Sequence, residues 1–206
     1  MELIPQYNDF ALFLAPSEII DFDHPMHDIA NLAERIAAYS QGETDYIKNA
    51  YEYVRDEISH SADIKGKVVT CKASEVLRAK EGICFAKSHL LAALLRYKSI
   101  PAGFCYQRLI LDDEATPYLI LHGLNAVYVK EYRKWIRLDT RGNKAGVDAQ
   151  FSLDAEKLAF SVRSSKGEED ILVIFATPDQ NVIAALTDNK TFDSLWANLP
   201  TELGRE

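Results

Sequence analysis

Residues 82–101 read GICFAKSHLLAALLRYKSIP. Wound at 100° per residue, Ala86, Leu90, Ala93, Leu94 and Tyr97 fall on one stripe, and Leu91 and Leu95 carry apolar surface onto the neighbouring face. A helix that is apolar on most sides is buried on most sides, so the spacing predicts a central helix over 84–97 with other elements packed around it. It must end ahead of Pro101, which restricts the residue before it and cannot continue the helical ladder.

Upstream, two amphipathic helices are expected. Residues 26–40 align Ile29, Leu32, Ala33 and Ile36, and residues 45–58 align Ile47, Tyr51, Val54 and Ile58. A shorter helix over 71–80 takes Thr70 as its N-cap and stops at Gly82. Downstream the period changes. GFCYQRLIL (103–111), LILHGLNAVYV (119–129) and KWIRLDT (134–140) read as an antiparallel meander, with ILVIFA (171–176) as a further strand. Thr177-Pro178-Asp179-Gln180 supplies an N-cap, a first-turn proline and a capping-box glutamine for a helix to about residue 186. The terminal TFDSLWANLP is either a packed helix or a dimer contact. Helices first and strands afterwards is the α+β pattern, and no linker or repeat divides residues 1–206, which read as a single domain.

With 206 residues, 48% of them hydrophobic, the chain can bury a core without disulfides or a structural metal. Its 31 acidic against 23 basic residues give a formal net charge of -8, the wrong sign for a nucleic-acid phosphate backbone. No run approaches the roughly 20 apolar residues of a membrane span. MELIPQYNDF lacks the basic and apolar regions of a secretory signal, so a cytoplasmic protein is expected. Cys71, Cys84 and Cys105 are odd in number and form no CxxC pair, which leaves them as thiols.

Cys84 opens the central helix, where unpaired N–H groups and the helix dipole favour an anionic sulfur; the competing reading is a small buried hydrophobe. Cys71 and Cys105 read as structural. A thiolate nucleophile needs a base, and the base an orienting acceptor. His89, five residues past Cys84, faces elsewhere on the helix. His60 reads as the end of a helix, a structural place for a cationic ring. His24 and His27 sit among Asp21, Asp23 and Asp28, a weak candidate metal cluster. His122 differs: it lies within a strand beside Gly123, and the next strand ends at Asp139, which a hairpin could bring next to it.

These residues resemble the transglutaminase-like superfamily, papain-related cysteine enzymes in which a helix led by the catalytic cysteine packs on an antiparallel sheet bearing histidine and aspartate. The resemblance is carried by YEYVRDEISHS (51–61), residues 72–104, LHGLNAVYV (121–129) and KWIRLDTRGNK (134–144), nearly all of residues 44–144. It implies Cys84 as nucleophile, His122 as general base and acid and Asp139 as the histidine's partner. The implied activity is cleavage or transamidation of a peptide, protein or small-amide substrate without metal or cofactor. Backbone N–H of Cys84 is one oxyanion donor. Gln107, on the first strand, is the candidate for the second; otherwise it is an exposed strand amide. The family's His-x-Trp-x-Glu pattern is broken at Leu124 and Ala126, and that departure motivates the alternative of a binding or scaffolding module without useful catalysis.

Overall fold

The computed structural model describes residues 2–23, 28–111 and 118–204. A two-residue strand β1 (Ile4–Pro5) comes first. In α1 (Asp28–Tyr39) and α2 (Glu43–Glu57) the apolar stripes Ile29, Leu32, Ala33, Ile36 and Tyr46, Ile47, Ala50, Tyr51, Val54 are the buried faces, as their spacing requires. After α2 the chain turns through β2 (Ser59–His60) and one helical turn, α3 (Ser61–Ile64).

The next helix, α4 (Ala73–Ala79), begins later than expected. The Glu75 carboxylate accepts from the backbone N–H groups of Cys71 and Lys72 at 3.0 and 3.1 Å, so the start is set there. Thr70 is not the cap; its hydroxyl donates to the Glu81 carbonyl at 3.1 Å. Nor is Gly82 the terminator, since Lys80 adopts the left-handed conformation with φ 56° that ends the helix. Gly82 instead belongs to β3 (Glu81–Gly82), which pairs in parallel with β2 and leads into the central helix.

That helix, α5 (Cys84–Tyr97), is buried from Cys84 through Arg96. It packs against α1, α2 and α4 on one side and against β4 (Ala102–Leu111) and β5 (Tyr118–Val129) on the other. Two polar side chains fix its seat. Asn125 of β5 donates to the Ser88 and Gly103 carbonyls at 3.0 and 3.2 Å, joining helix to sheet. Arg96, at the far end, donates to the carbonyls of Ala15, Ala102 and Ala176, so one buried guanidinium gathers three segments.

The meander is completed by β6 (Lys134–Leu138), and β7 (Glu169–Phe175) follows a long connection. The sheet order is β1-β7-β4-β5-β6. Thus β7 returns to the far side of β4, not to the edge beyond β6, and β1 adds to it in parallel. One face of the sheet meets α5; the other buries Cys105, Leu124, Ala126 and Ile174 against Phe13. Arg137, directly across from Ala126, is buried on that second face and paired with Glu156 and Asp170.

The chain then forms α6 (Gln180–Asp188) and α7 (Phe192–Ala197). Asp179, not Thr177, caps α6, accepting from the N–H groups of Asn181 and Val182 at 2.9 and 3.4 Å. A carboxylate nearer the first turn wins the cap from a hydroxyl two residues further out. In α7, Leu195 is buried against the main core, so the terminal segment contains a packed helix.

Candidate active site

The site forms where the start of α5 meets the middle of β5. Gly123 decides how close they come: a Cβ built there would lie 2.5 Å from Phe85 Cδ1 and 3.4 Å from Phe85 Cα. Only a residue without a side chain lets the first turn of α5 settle onto the strand beside His122. Cys84 is the first residue of that turn, with Ile83 as N-cap. Its backbone N–H belongs to the first-turn donors that the helix ladder leaves unused.

His122 is buried, and its Nε2 lies 2.8 Å from Asp139 Oδ2. The ring's other nitrogen, Nδ1, is not engaged by Asp139, and the Cys84 sulfur is near enough to bear on the imidazole's charge. Asp139 follows β6, and its carboxylate is held on all sides. Oδ1 accepts from the Arg141 N–H and Oδ2 from the Ala159 N–H, both at 3.0 Å. Phe160 sets its ring edge-on against the imidazole, with centroids 5.1 Å apart and planes at 84°. The structure therefore brings Cys84, His122 and Asp139 together, with a lid of two residues, Ala159 and Phe160, that no sequence motif marked.

Electrostatics at the pair follow from that packing. Burial opposes a charged imidazole, but the Asp139 carboxylate and the Cys84 sulfur outweigh it and raise His122 to about 10. Burial likewise opposes the Asp139 carboxylate, and His122 with the two backbone N–H groups reverses the balance and lowers its pKa. Cys71 and Cys105 are pushed up to about 12, in each case by burial first. Both stay as thiols.

Gln107 stands directly across β4–β5 from His122. It is 2% exposed, which corrects the reading of a solvated strand amide, and its Oε1 has no hydrogen-bond partner. His89 is a core residue: its Nδ1 meets the Cys71 carbonyl at 2.7 Å, and burial lowers its pKa to about 4.

His60 was misread by sequence. The helix ends at Glu57, and His60 lies in β2, in register with Gly82. It is not cationic there; burial, followed by the charges of Arg141 and Lys87, holds it well below the usual imidazole range. Around it, Arg141 forms a two-pronged ion pair with Asp63, to which Lys144 adds a contact at 2.6 Å. Lys87, one turn along α5 from Cys84, is fully buried and donates to the carbonyls of Arg55 and Ile58. The metal cluster expected at His24 and His27 lies outside the described residues, as does the acidic stretch Asp112-Asp113-Glu114.

The sequence profile of the transglutaminase-like superfamily matches residues 30–140, more than half of the 206 residues. The chain belongs to this superfamily. No curated protein matches it. Among solved structures, the "Putative Cysteine Protease from Cytophaga hutchinsonii" is 18% identical with a TM-score of 0.52, over 66% of this chain and 43% of that one. A structure described as a TGase is 19% identical with a TM-score of 0.42, over 71% of this chain and 42% of that one. The chain spans less than half of the length of either. At such identity the first of these supports the transglutaminase-like fold and nothing finer. The departures from the superfamily pattern, Leu124 and Ala126, are both fully buried in the second face of the sheet. They are absorbed by packing against Phe13 and Ile174, and Arg137 opposite Ala126 finds its carboxylates in Glu156 and Asp170.

Among the described residues no helix is long and apolar enough to cross a membrane.

Proposed function

We propose that this protein is a cysteine-dependent amide-bond enzyme that works through a thioester acyl-enzyme. One observation carries the reading: His122 is bound through Nε2 to a fully buried carboxylate, which leaves Nδ1 for a cysteine at the first position of a buried helix. That is the division of labour a cysteine nucleophile needs, with the acid orienting the base and the base addressing the sulfur.

In this reading the Cys84 thiol gives its proton to His122 and the sulfur attacks a carboxamide or peptide carbonyl; a C–S bond forms and the carbonyl π pair moves to oxygen. The oxyanion is received by the Cys84 backbone N–H and a side-chain donor, for which Gln107 is one candidate. Collapse of the intermediate breaks the C–N bond, and the His122 imidazolium gives its proton to the departing amine. His122 then takes a proton from water or from a second amine as that nucleophile attacks the thioester carbonyl; collapse breaks the C–S bond, the sulfur leaves with its electron pair and the proton stays with the Cys84–His122 pair, giving hydrolysis or transamidation respectively. The substrate is a peptide, a protein side-chain amide or a small amide. Three free, buried cysteines suit a reducing compartment, and the cytoplasm is the proposed location.

The test uses p-nitrophenyl acetate, an activated acyl donor that needs no knowledge of the natural substrate. Wild type should release a burst of p-nitrophenolate and gain one acetyl group at Cys84 by peptide mapping. Cys84→Ala should do neither while keeping its melting temperature. A Cys84→Ala variant that acylates like wild type would overturn the proposal.

A further inference from the structure

Among the groups around the site, His60 stands apart in one respect: it carries a donor that no described protein atom receives. The parallel β2–β3 pair sets it beside Gly82, two residues ahead of Cys84, and paired strands lie about 4.8 Å apart. It is 8% exposed. Its Nδ1 accepts from the Ala62 N–H at 3.3 Å, so that nitrogen carries no proton, and in a neutral ring the proton resides on Nε2. Nε2 has no hydrogen-bond partner among the described residues. It is not among the buried atoms left without a partner, so it lies on the part of the ring that stays accessible, where an incoming acceptor can reach it.

The charges around His60 keep the ring in its donating form. Burial acts first; Arg141 after β6, Lys87 from α5 and His122 from β5 push the same way, and Asp63 from α3 opposes them. A neutral imidazole can stabilise developing negative charge by hydrogen bonding without surrendering its proton. Gln107 presents the opposite need. Its buried atom without a partner is the carbonyl oxygen, an acceptor suited to a substrate N–H, and its amide N–H groups are the rival donor that the test below separates from His60.

Building on the acyl-transfer reading above, we propose that His60 supplies the second donor of the oxyanion hole, its Nε2–H joining the Cys84 backbone N–H on the carbonyl oxygen. As the C–S bond forms and the π pair moves to that oxygen, both hydrogen bonds shorten. They relax when the C=O bond is restored and the amine leaves with the proton from His122. No proton passes through His60.

Two reactions of the same sulfur separate this role from a structural one. Iodoacetamide alkylates a thiolate by displacement at a saturated carbon and forms no oxyanion, whereas p-nitrophenyl acetate must pass through one. His60→Ala should slow acylation on the order of 10²–10³-fold, the effect of removing one such donor, with alkylation of Cys84 within about twofold of wild type. His60→Gln, which restores an N–H, should recover part of the loss. If His60→Ala does not fold, His60→Phe fills the space without a donor and takes its place. Acylation at the wild-type rate would overturn the proposal. So would an equal fall in both reactions, which would make His60 a support for Cys84, or a selective acylation loss found in Gln107→Ala instead. A wild-type Cys84 inert to both reagents would instead sink the acyl-transfer reading itself, and the role of His60 with it.

Discussion

His122 and Asp139 meet Nε2 to Oδ2 at 2.8 Å, and the carboxylate that makes this bond is also tied to the N–H groups of Arg141 and Ala159. The bond therefore fixes the ring's orientation and its tautomer together. Asp139→Asn keeps the size of the group but offers an amide where the imidazole needs a charged acceptor. Acylation by p-nitrophenyl acetate should fall on the order of 10³–10⁴-fold, with a circular-dichroism spectrum like that of wild type. An unchanged rate would remove Asp139 from the machinery.

Phe160 seals that bond from above. Phe160→Ala admits water to the pair and weakens the interaction between carboxylate and imidazolium. The His122 pKa should then come down from about 10 towards the ordinary imidazole range, as read from an NMR titration of the ring. A titration identical to wild type would mean that the ring only fills space.

Gly123 is a steric requirement. In Gly123→Ala the new methyl would sit 2.5 Å from Phe85 Cδ1, and Phe85 is itself buried. The start of α5 must lift, at a cost of about 1–3 kcal/mol, the usual range for overpacking. Urea unfolding should show a lower midpoint, and alkylation of Cys84 should slow because the sulfur moves with the helix. A midpoint equal to wild type would contradict the close approach.

Lys87 makes stability depend on pH. Burial first, then the charge of Arg141, lowers it to about 7, against the pull of Asp56, Asp139 and Asp63. The unfolded side chain titrates near 10.4, so between about pH 7 and 10 the unfolded chain holds the extra proton. Stability from this group therefore rises with pH across that window. His122, with its raised pKa, works in the opposite sense: its contribution is complete below about pH 6.5 and is lost as pH rises through about 10. Subtracting Lys87→Met from wild type isolates the lysine. The wild-type free energy of unfolding should gain on that of Lys87→Met from pH 7 to pH 9. Equal slopes would show that Lys87 is protonated alike in the folded and unfolded chain.

The helical half was legible because amphipathic period is local. The stripes of α1, α2 and α5 lie where their spacing puts them, and the meander β4-β5-β6 follows from short connections between neighbouring strands. The helix starts were less legible. Caps at Lys72 and Asp179 were decided by which nearby carboxylate reaches the free N–H groups, a competition among residues only a few positions apart. Phe160 was missed, and His60 placed at a helix end, for another reason. One lies in a long irregular connection and the other in a two-residue strand, and neither carries a periodic signal.

By itself the sequence determined the α+β class, the buried helix led by Cys84 and the order of the cysteine, histidine and aspartate along the chain, because period, proline and turn chemistry act over a few residues. Tertiary structure alone decided that β7 inserts beside β4, that Gln107 is buried across from His122, that Phe160 packs edge-on against the imidazole, and that His60 stands neutral beside Gly82. Each of these depends on groups far apart in the chain. Burial and the charges that come with it do not exist until the sheet has closed over α5.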